Sequence, residues 1–158
     1  MSQARVVAAA DGGEPGRRLR VLLLSHLGSR RSPTGAENVL ALLARGLRRR
    51  GHEVAVAAPG GWVLAAELRQ SGVELRPVAA RGCWLVQWAP QPAPLQLWRL
   101  LRYLAPDRGS AALRRLMREL DPDVVHVNCL PHLRGAAAAR ACGLPVVWHL
   151  HEILPAVR

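Results

Sequence analysis

LRVLLLSHLGSRRSPTGAENVLALLARGLRRRGHEVAVAAP, from Leu19 to Pro59, is the stretch that decides the fold. It opens with a continuous apolar run, Leu19 to Ser25, as expected of a central strand covered on both faces. A basic, Pro-interrupted loop follows. Then Ala36, Val39/Leu40, Leu43 and Leu47 recur at helical spacing. Thr34 with Glu37 three residues on is a capping-box pattern that fixes the helix start. Arg48-Arg49-Arg50 place cations in the last turn and Gly51 stops the helix. His52 to Gly61 predicts a second strand running into a Pro-Gly turn. Strand, crossover helix and strand with short links specify a parallel pair with a right-handed crossover.

The rhythm continues outward. Trp62 to Gly72 predicts a short helix and Val73 to Val78 a third strand. After an interruption, Ser110 begins a helix that ends at the Asp121-Pro122 breaker. Asp123 to Asn128 predicts a fourth strand. Pro131 to Gly143 reads as a helix with Pro at its start and Gly after its end. Leu144 to Glu152 predicts a fifth strand. The fold class is therefore α/β, a Rossmann-like parallel sheet with helices on both faces. Residues 79–109 form a Trp/Pro-rich insertion that holds three of the five Trp. Within it Leu95, Leu97/Trp98, Leu101 and Leu104 share a helical face, with Arg99 and Arg102 beside it. Two readings stand: an inserted helix packed on the sheet, or an interfacial helix making peripheral membrane contact through 95–104.

At 158 residues the chain is long enough for one domain with a core and too short for two of full size. Half of it is apolar. The net charge of +11 comes from 22 cations, all of them Arg. They are scattered in a chain rich in Ala, Gly and Pro, a pattern that biased codon usage produces without functional demand. No nucleic-acid partner is expected, since a basic balance is only the first of several features such a protein needs. An anionic membrane surface or a phosphorylated substrate fits the charge better. Cys83, Cys129 and Cys142 form no C-x-x-C pair, and their odd number argues against a disulfide framework. A cytoplasmic setting is expected, at the inner face of the membrane if the insertion touches it. Residues 1–18 read as a disordered leader whose apolar stretch is too short for a signal-peptide core.

Several doubly wound classes drop out. The loop between Gly28 and Gly35 lacks G-x-G-x-x-G spacing, and no acidic residue ends the second strand to hold a ribose. A phosphate-binding P-loop needs Lys, and the chain has none. No G-x-S-x-G nucleophile turn occurs. The segments that remain, TGAENVL, RRRGHEVAV, DPDVVHVN and GLPVVWHLHE, occur in an order and spacing that closely resembles the N-terminal, acceptor-side domain of family 4 glycosyltransferases, half of a GT-B architecture. The resemblance covers about residues 19–155. Where that family has Gly-Gly before Ala-Glu, this chain has Thr34-Gly35.

Ligands of open α/β sheets sit at the carboxyl ends of the strands, and the opening loop, Asn128 and His149 to Glu152 all fall there. Gly35 allows close backbone approach, and first-turn N–H groups donate to phosphate or sugar oxygens. Asn128 either binds a substrate hydroxyl or caps the next helix. Arg30 and Arg31 either meet an anionic substrate or remain solvated. His149, His151 and Glu152 lack an evident further ligand for a metal, so none is expected. His126, inside the fourth strand, reads as a buried structural histidine.

The resemblance implies a retaining enzyme that transfers a sugar from a nucleotide-sugar, as co-substrate rather than cofactor, to a sugar or lipid-linked acceptor without a metal. It gives the catalytic place beside the donor sugar to His151; from their places at the strand ends and in the opening loop, Gly35, Asn128, Glu152, Arg30 and Arg31 are the expected substrate-binding set. Family members carry most of the donor site in a second domain, and nothing in residues 19–158 matches it. The C-terminal donor domain is therefore expected to be absent and the isolated chain inactive. Two other readings remain: the acceptor-binding or membrane-docking subunit of a split enzyme whose donor domain is a separate chain, or a non-catalytic α/β ligand-binding module.

Overall fold

The apolar run of the opening stretch forms β1 (Arg20–Leu24), of which Val21, Leu22, Leu23 and Leu24 are buried. A computed structural model of the chain describes residues 17–25, 27–78, 92–104 and 108–151. Most of the expected leader, Cys83, Trp84 and Trp88 of the insertion, and Glu152 lie outside the described residues. From β1 the chain passes through α1 (Gly35–Arg49), β2 (Glu53–Ala58), α2 (Ala65–Gln70), β3 (Glu74–Pro77), α3 (Ala93–Leu104), α4 (Arg108–Leu120), β4 (Val124–Asn128), α5 (Leu133–Ala141) and β5 (Val146–His149).

The five described strands are all parallel, in the order β3-β2-β1-β4-β5. The register sets Val21 beside Val54 on one side and Val124 on the other. Alternation along the strands then divides the core. Val21, Leu23, Val54 and Val56 point to a layer holding Leu40, Ala41 and Ala44 of α1 and Leu68 of α2. Leu22, Leu24, Val125 and Val127 point to the opposite layer, with Leu113, Leu116 and Met117 of α4 and Ala136, Ala138 and Ala139 of α5. Small residues let α5 lie close to the sheet. A Cβ on Gly135 would stand 2.8 Å from Leu24 Cδ1 and 2.9 Å from the His132 ring. The α/β class, the parallel sheet and the helices on both faces expected from sequence are those of the structure.

Local differences have local causes. The second helix begins at Ala65 rather than Trp62, because Trp62 turns inward as a buried residue of the β2–α2 connection. The α5 helix begins at Leu133, so Pro131 sits in the turn before it instead of in its first turn. The α4 helix starts at Arg108, slightly before the expected Ser110. Strand β5 stops at His149, which leaves His151 beyond the ladder.

The order has one functional consequence. The chain leaves β1 toward β2, and later enters β4 on β1's other side. The carboxyl ends of β1 and β4 therefore flank the topological switch point, where two loops diverge and leave a crevice.

Candidate functional site

At the end of β1 the backbone still follows its neighbour, with Ser25 N donating to Ala57 O at 2.9 Å. The loop beyond is fixed by the carboxylate of Glu37, itself fully buried in the first turn of α1. Glu37 accepts from Ser29 N at 2.8 Å, Ser29 Oγ at 2.7 Å and Thr34 N at 2.8 Å. Its own amide donates to Thr34 Oγ1 at 3.3 Å, which completes the expected capping box. Burial pushes the Glu37 carboxyl up, but the donors from Ser29 and Thr34 outweigh it and hold the group below its ordinary value of 4.5. A carboxylate is thus held charged inside the protein by hydrogen-bond donors.

The same loop is clamped from the other side. Val63 N donates to Ser29 O at 2.8 Å, joining it to the β2–α2 connection. Gly28 passes so near Pro59 that a Cβ would lie 2.7 Å from the Pro59 carbonyl oxygen. Backbone cannot yield as a flexible side chain does. Gly28→Ala is therefore expected to cost about 1–3 kcal/mol, by the overpacking it forces, read as a lower urea midpoint with unchanged slope. An unchanged midpoint would show that the two connections are not held together.

Gly35 differs from Gly28. A Cβ there would meet nothing within 4 Å, so no described residue requires glycine at the start of α1. Glycine in a helix is less favourable than alanine by roughly 0.5–1 kcal/mol, and the open space in front of Gly35 is the feature that sets the position apart. Thr34 Oγ1 caps the Glu37 amide and Thr34 O receives the Asn38 amide. The Gly35 and Ala36 amides remain as the first-turn donors that this cap does not use.

Across the crevice, Asn128 ends β4 with 1% of its surface exposed. Its Nδ2 donates to Ala36 O at 3.1 Å, and its Oδ1 lies 2.8 Å from His151 Nε2. A carboxamide oxygen only accepts, so the hydrogen is on Nε2 of His151. Both ends of the Asn128 amide are engaged inside the protein, which makes it the link between the first turn of α1 and His151. His149 stacks on His151 with ring centroids 4.1 Å apart. It meets His126 edge-on at 5.6 Å. Burial, then the neighbouring His149 and His151, lower the His126 pKa from 6.5 to about 4. This agrees with a buried structural histidine.

Sequence reading did not single out the turn after β4. Cys129 has φ of +74°, a left-handed conformation rare for a residue with a side chain. Its amide donates to His149 O at 2.9 Å, and its carbonyl receives Trp148 Nε1 at 2.9 Å. This turn ties the ends of β4 and β5 together. Positive φ at cysteine has no composition signal, and the Trp148 contact joins separate strands.

The site residues expected from sequence are thus only partly assembled. Gly35, Asn128 and His151 are brought together, through Ala36. Arg30 and Arg31 are exposed on the β1–α1 loop. The Arg30 side chain lies over Gly61, its Nε 3.2 Å from where a Cβ on that glycine would be. Glu152 lies outside the described residues. Among the described residues, no group of three or more His, Cys, Asp or Glu is arranged to hold a metal ion.

The family model described as a glycosyl transferase 4-like domain matches residues 34–158. No curated protein matches the chain in sequence. Solved structures of the same fold include the glycosyltransferase VinC in complex with dTDP, 28% identical with a TM-score of 0.56, over 84% of this chain and 34% of that one. Spinosyn forosaminyltransferase SpnP is 25% identical with a TM-score of 0.55, over 85% of this chain and 31% of that one. Anabaena Alr3699/HepE, in complex with UDP and glucose, has a TM-score of 0.57 at 21% identity, covering 86% of this chain and 31% of its own. The chain spans about a third of the length of these solved structures.

Proposed function

The chain belongs to the glycosyl transferase 4-like domain family, and from that premise we propose that it is the N-terminal, acceptor-side half of a retaining glycosyltransferase, of hexosyltransferase type. The enzyme moves a sugar from a nucleotide-sugar donor to a sugar or lipid-linked acceptor. The observation that carries this reading is the convergence of an open helix start at Gly35 and the Asn128-held His151 at the switch point. Binding of dTDP by VinC supports a nucleoside diphosphate as the leaving group.

In this reading the Gly35 and Ala36 amides donate to a diphosphate or acceptor oxygen, and Arg30 and Arg31 add positive charge from the rim. His151 borders the donor sugar, held in one tautomer by Asn128. Stabilising the charge that develops on the departing diphosphate contributes most to the rate of such a transfer. These residues supply part of that stabilisation, and a donor domain, in the same protein or on a separate chain, supplies the rest. No metal is assigned to the reaction. The isolated chain binds without turning over.

Amide-detected NMR titration with dTDP and UDP tests this. The Gly35, Ala36 and His151 amides are expected to shift, even if saturation needs millimolar ligand. Gly35→Leu, which fills the open space, is expected to weaken the response at least about tenfold, the scale of losing one charge-assisted hydrogen bond. Shifts that leave these amides unmoved, or a Gly35→Leu variant that binds as well, would remove the site from the reading.

A further inference from the structure

We infer that α3 is an in-plane docking helix for an anionic phospholipid surface, an inference that does not depend on which sugar is transferred or whether transfer occurs. Helix α3 reads APLQLWRLLRYL and contains no acidic residue. Leu97, Trp98 and Leu101 share one side, at i, i+1 and i+4, and are 57%, 53% and 59% exposed. The other helices each seat an apolar face in one of the two core layers, even though Val39 and Leu42 of α1 are exposed, whereas none of these three enters either layer. A tryptophan and two leucines exposed together form an apolar patch of the kind that marks an interaction surface.

Charge points to the occupant. Between Glu74 and Asp107 the sequence holds no Asp or Glu, and Arg99 and Arg102 are the charged residues of the α3 sequence itself. Apolar Trp and Leu beside arginine, with no carboxylate to repel phosphate, are the chemistry of a helix lying in the headgroup region. A protein partner's apolar surface would not need this one-signed flank. No described helix is long and apolar enough to cross a membrane, so the contact is one of lying on the surface.

Placement adds a purpose. Strand β3 leaves the sheet at its carboxyl end, and α4 runs back from that end toward the start of β4. Helix α3 lies between them in the chain and so is tethered at the end of the sheet where Gly35 and His151 converge. Docking there brings the crevice to a lipid surface, from which a lipid-borne hydroxyl acceptor reaches it without leaving the bilayer.

Co-sedimentation of the full chain with phosphatidylcholine vesicles, with and without phosphatidylglycerol, tests the inference. The chain is expected to partition onto the anionic vesicles at least about tenfold better than onto neutral ones, and to lose that preference in high salt. The double variant Leu97→Ser/Trp98→Ser and the single variant Arg99→Glu are each expected to weaken partition about tenfold or more with an unchanged melting curve. Absence of partition, or variants that partition like the parent, would overturn it. So would concentration-dependent self-association of the parent that the same double variant abolishes, which would make a second copy the occupant. Because the readout is lipid binding, failure here leaves the nucleotide titration untouched, and the converse holds.

Discussion

Acidification is expected to destabilise this fold by about 3 kcal/mol through one side chain, His126, as the pH falls from 6.5 to about 4. The sign follows from the direction of the shift. Folding lowers the pKa, so the unfolded chain binds the proton more readily than the folded one. The stability that neutral His126 supports is complete above 6.5 and is lost as the pH falls toward the folded value of about 4. Burial is the main cause, and the facing imidazoles of His149 and His151 add to it. Its Nδ1 has no hydrogen-bond partner among the described residues, so leucine removes an uncompensated polar atom along with the titration. His126→Leu is therefore expected to be neutral or stabilising at pH 7 and to flatten the acid limb. Urea unfolding of both proteins across this range decides it. Parallel pH profiles would show that another group carries the acid sensitivity.

The second large effect concerns Glu37. Glu37→Ala removes both carboxylate oxygens and strands three donors, the Ser29 amide, the Ser29 hydroxyl and the Thr34 amide. The expected loss is about 3 kcal/mol, since each buried donor left unpaired costs on the order of 1–3 kcal/mol and some regain water. Glu37→Gln keeps the shape but turns an NH2 group toward donors, so a loss of about 2 kcal/mol is expected there as well. The folded pKa lies below 4.5, so the stability tied to the charge is complete above 4.5 and is lost as the pH falls through the lower folded value. In Glu37→Gln this component disappears, whereas the His126 component at higher pH remains. A Glu37→Ala variant within about 0.5 kcal/mol of the parent would place it among ordinary surface changes and show that the loop is held by other contacts. The same variant frees the β1–α1 loop, so the Gly35 response to dTDP is expected to weaken with it.

Much of this architecture was legible in the sequence because its causes are local. The apolar run before Ser25, the Thr34-Glu37 cap and the Gly51 stop each act within a few residues. Together they give a strand, a helix and a strand whose connection has one favoured hand. The order of strands and helices, and the carboxyl-end location of Gly35, Asn128 and His151, follow from the same pattern. The resemblance to family 4 glycosyltransferases rested on those segments, and the family model bears it out.

Tertiary structure decided what depends on partners distant in the chain. Glu37 read as part of a cap; the folded loop shows Ser29 turned onto it, making it the centre of a lock. Asn128 left two roles open, and a third emerged: its hydrogen bond to Ala36 spans 92 positions, and its hydrogen bond to His151 fixes a tautomer. Whether the insertion helix packed on the sheet or faced outward was equally undecided. Periodicity fixes which side chains share a face, but only the positions of the other elements determine whether that face is covered. Sequence determined the elements and their order because hydrophobic period and capping are short-range. The fold alone decided burial, protonation and exposure, because each is set by what the rest of the chain places alongside.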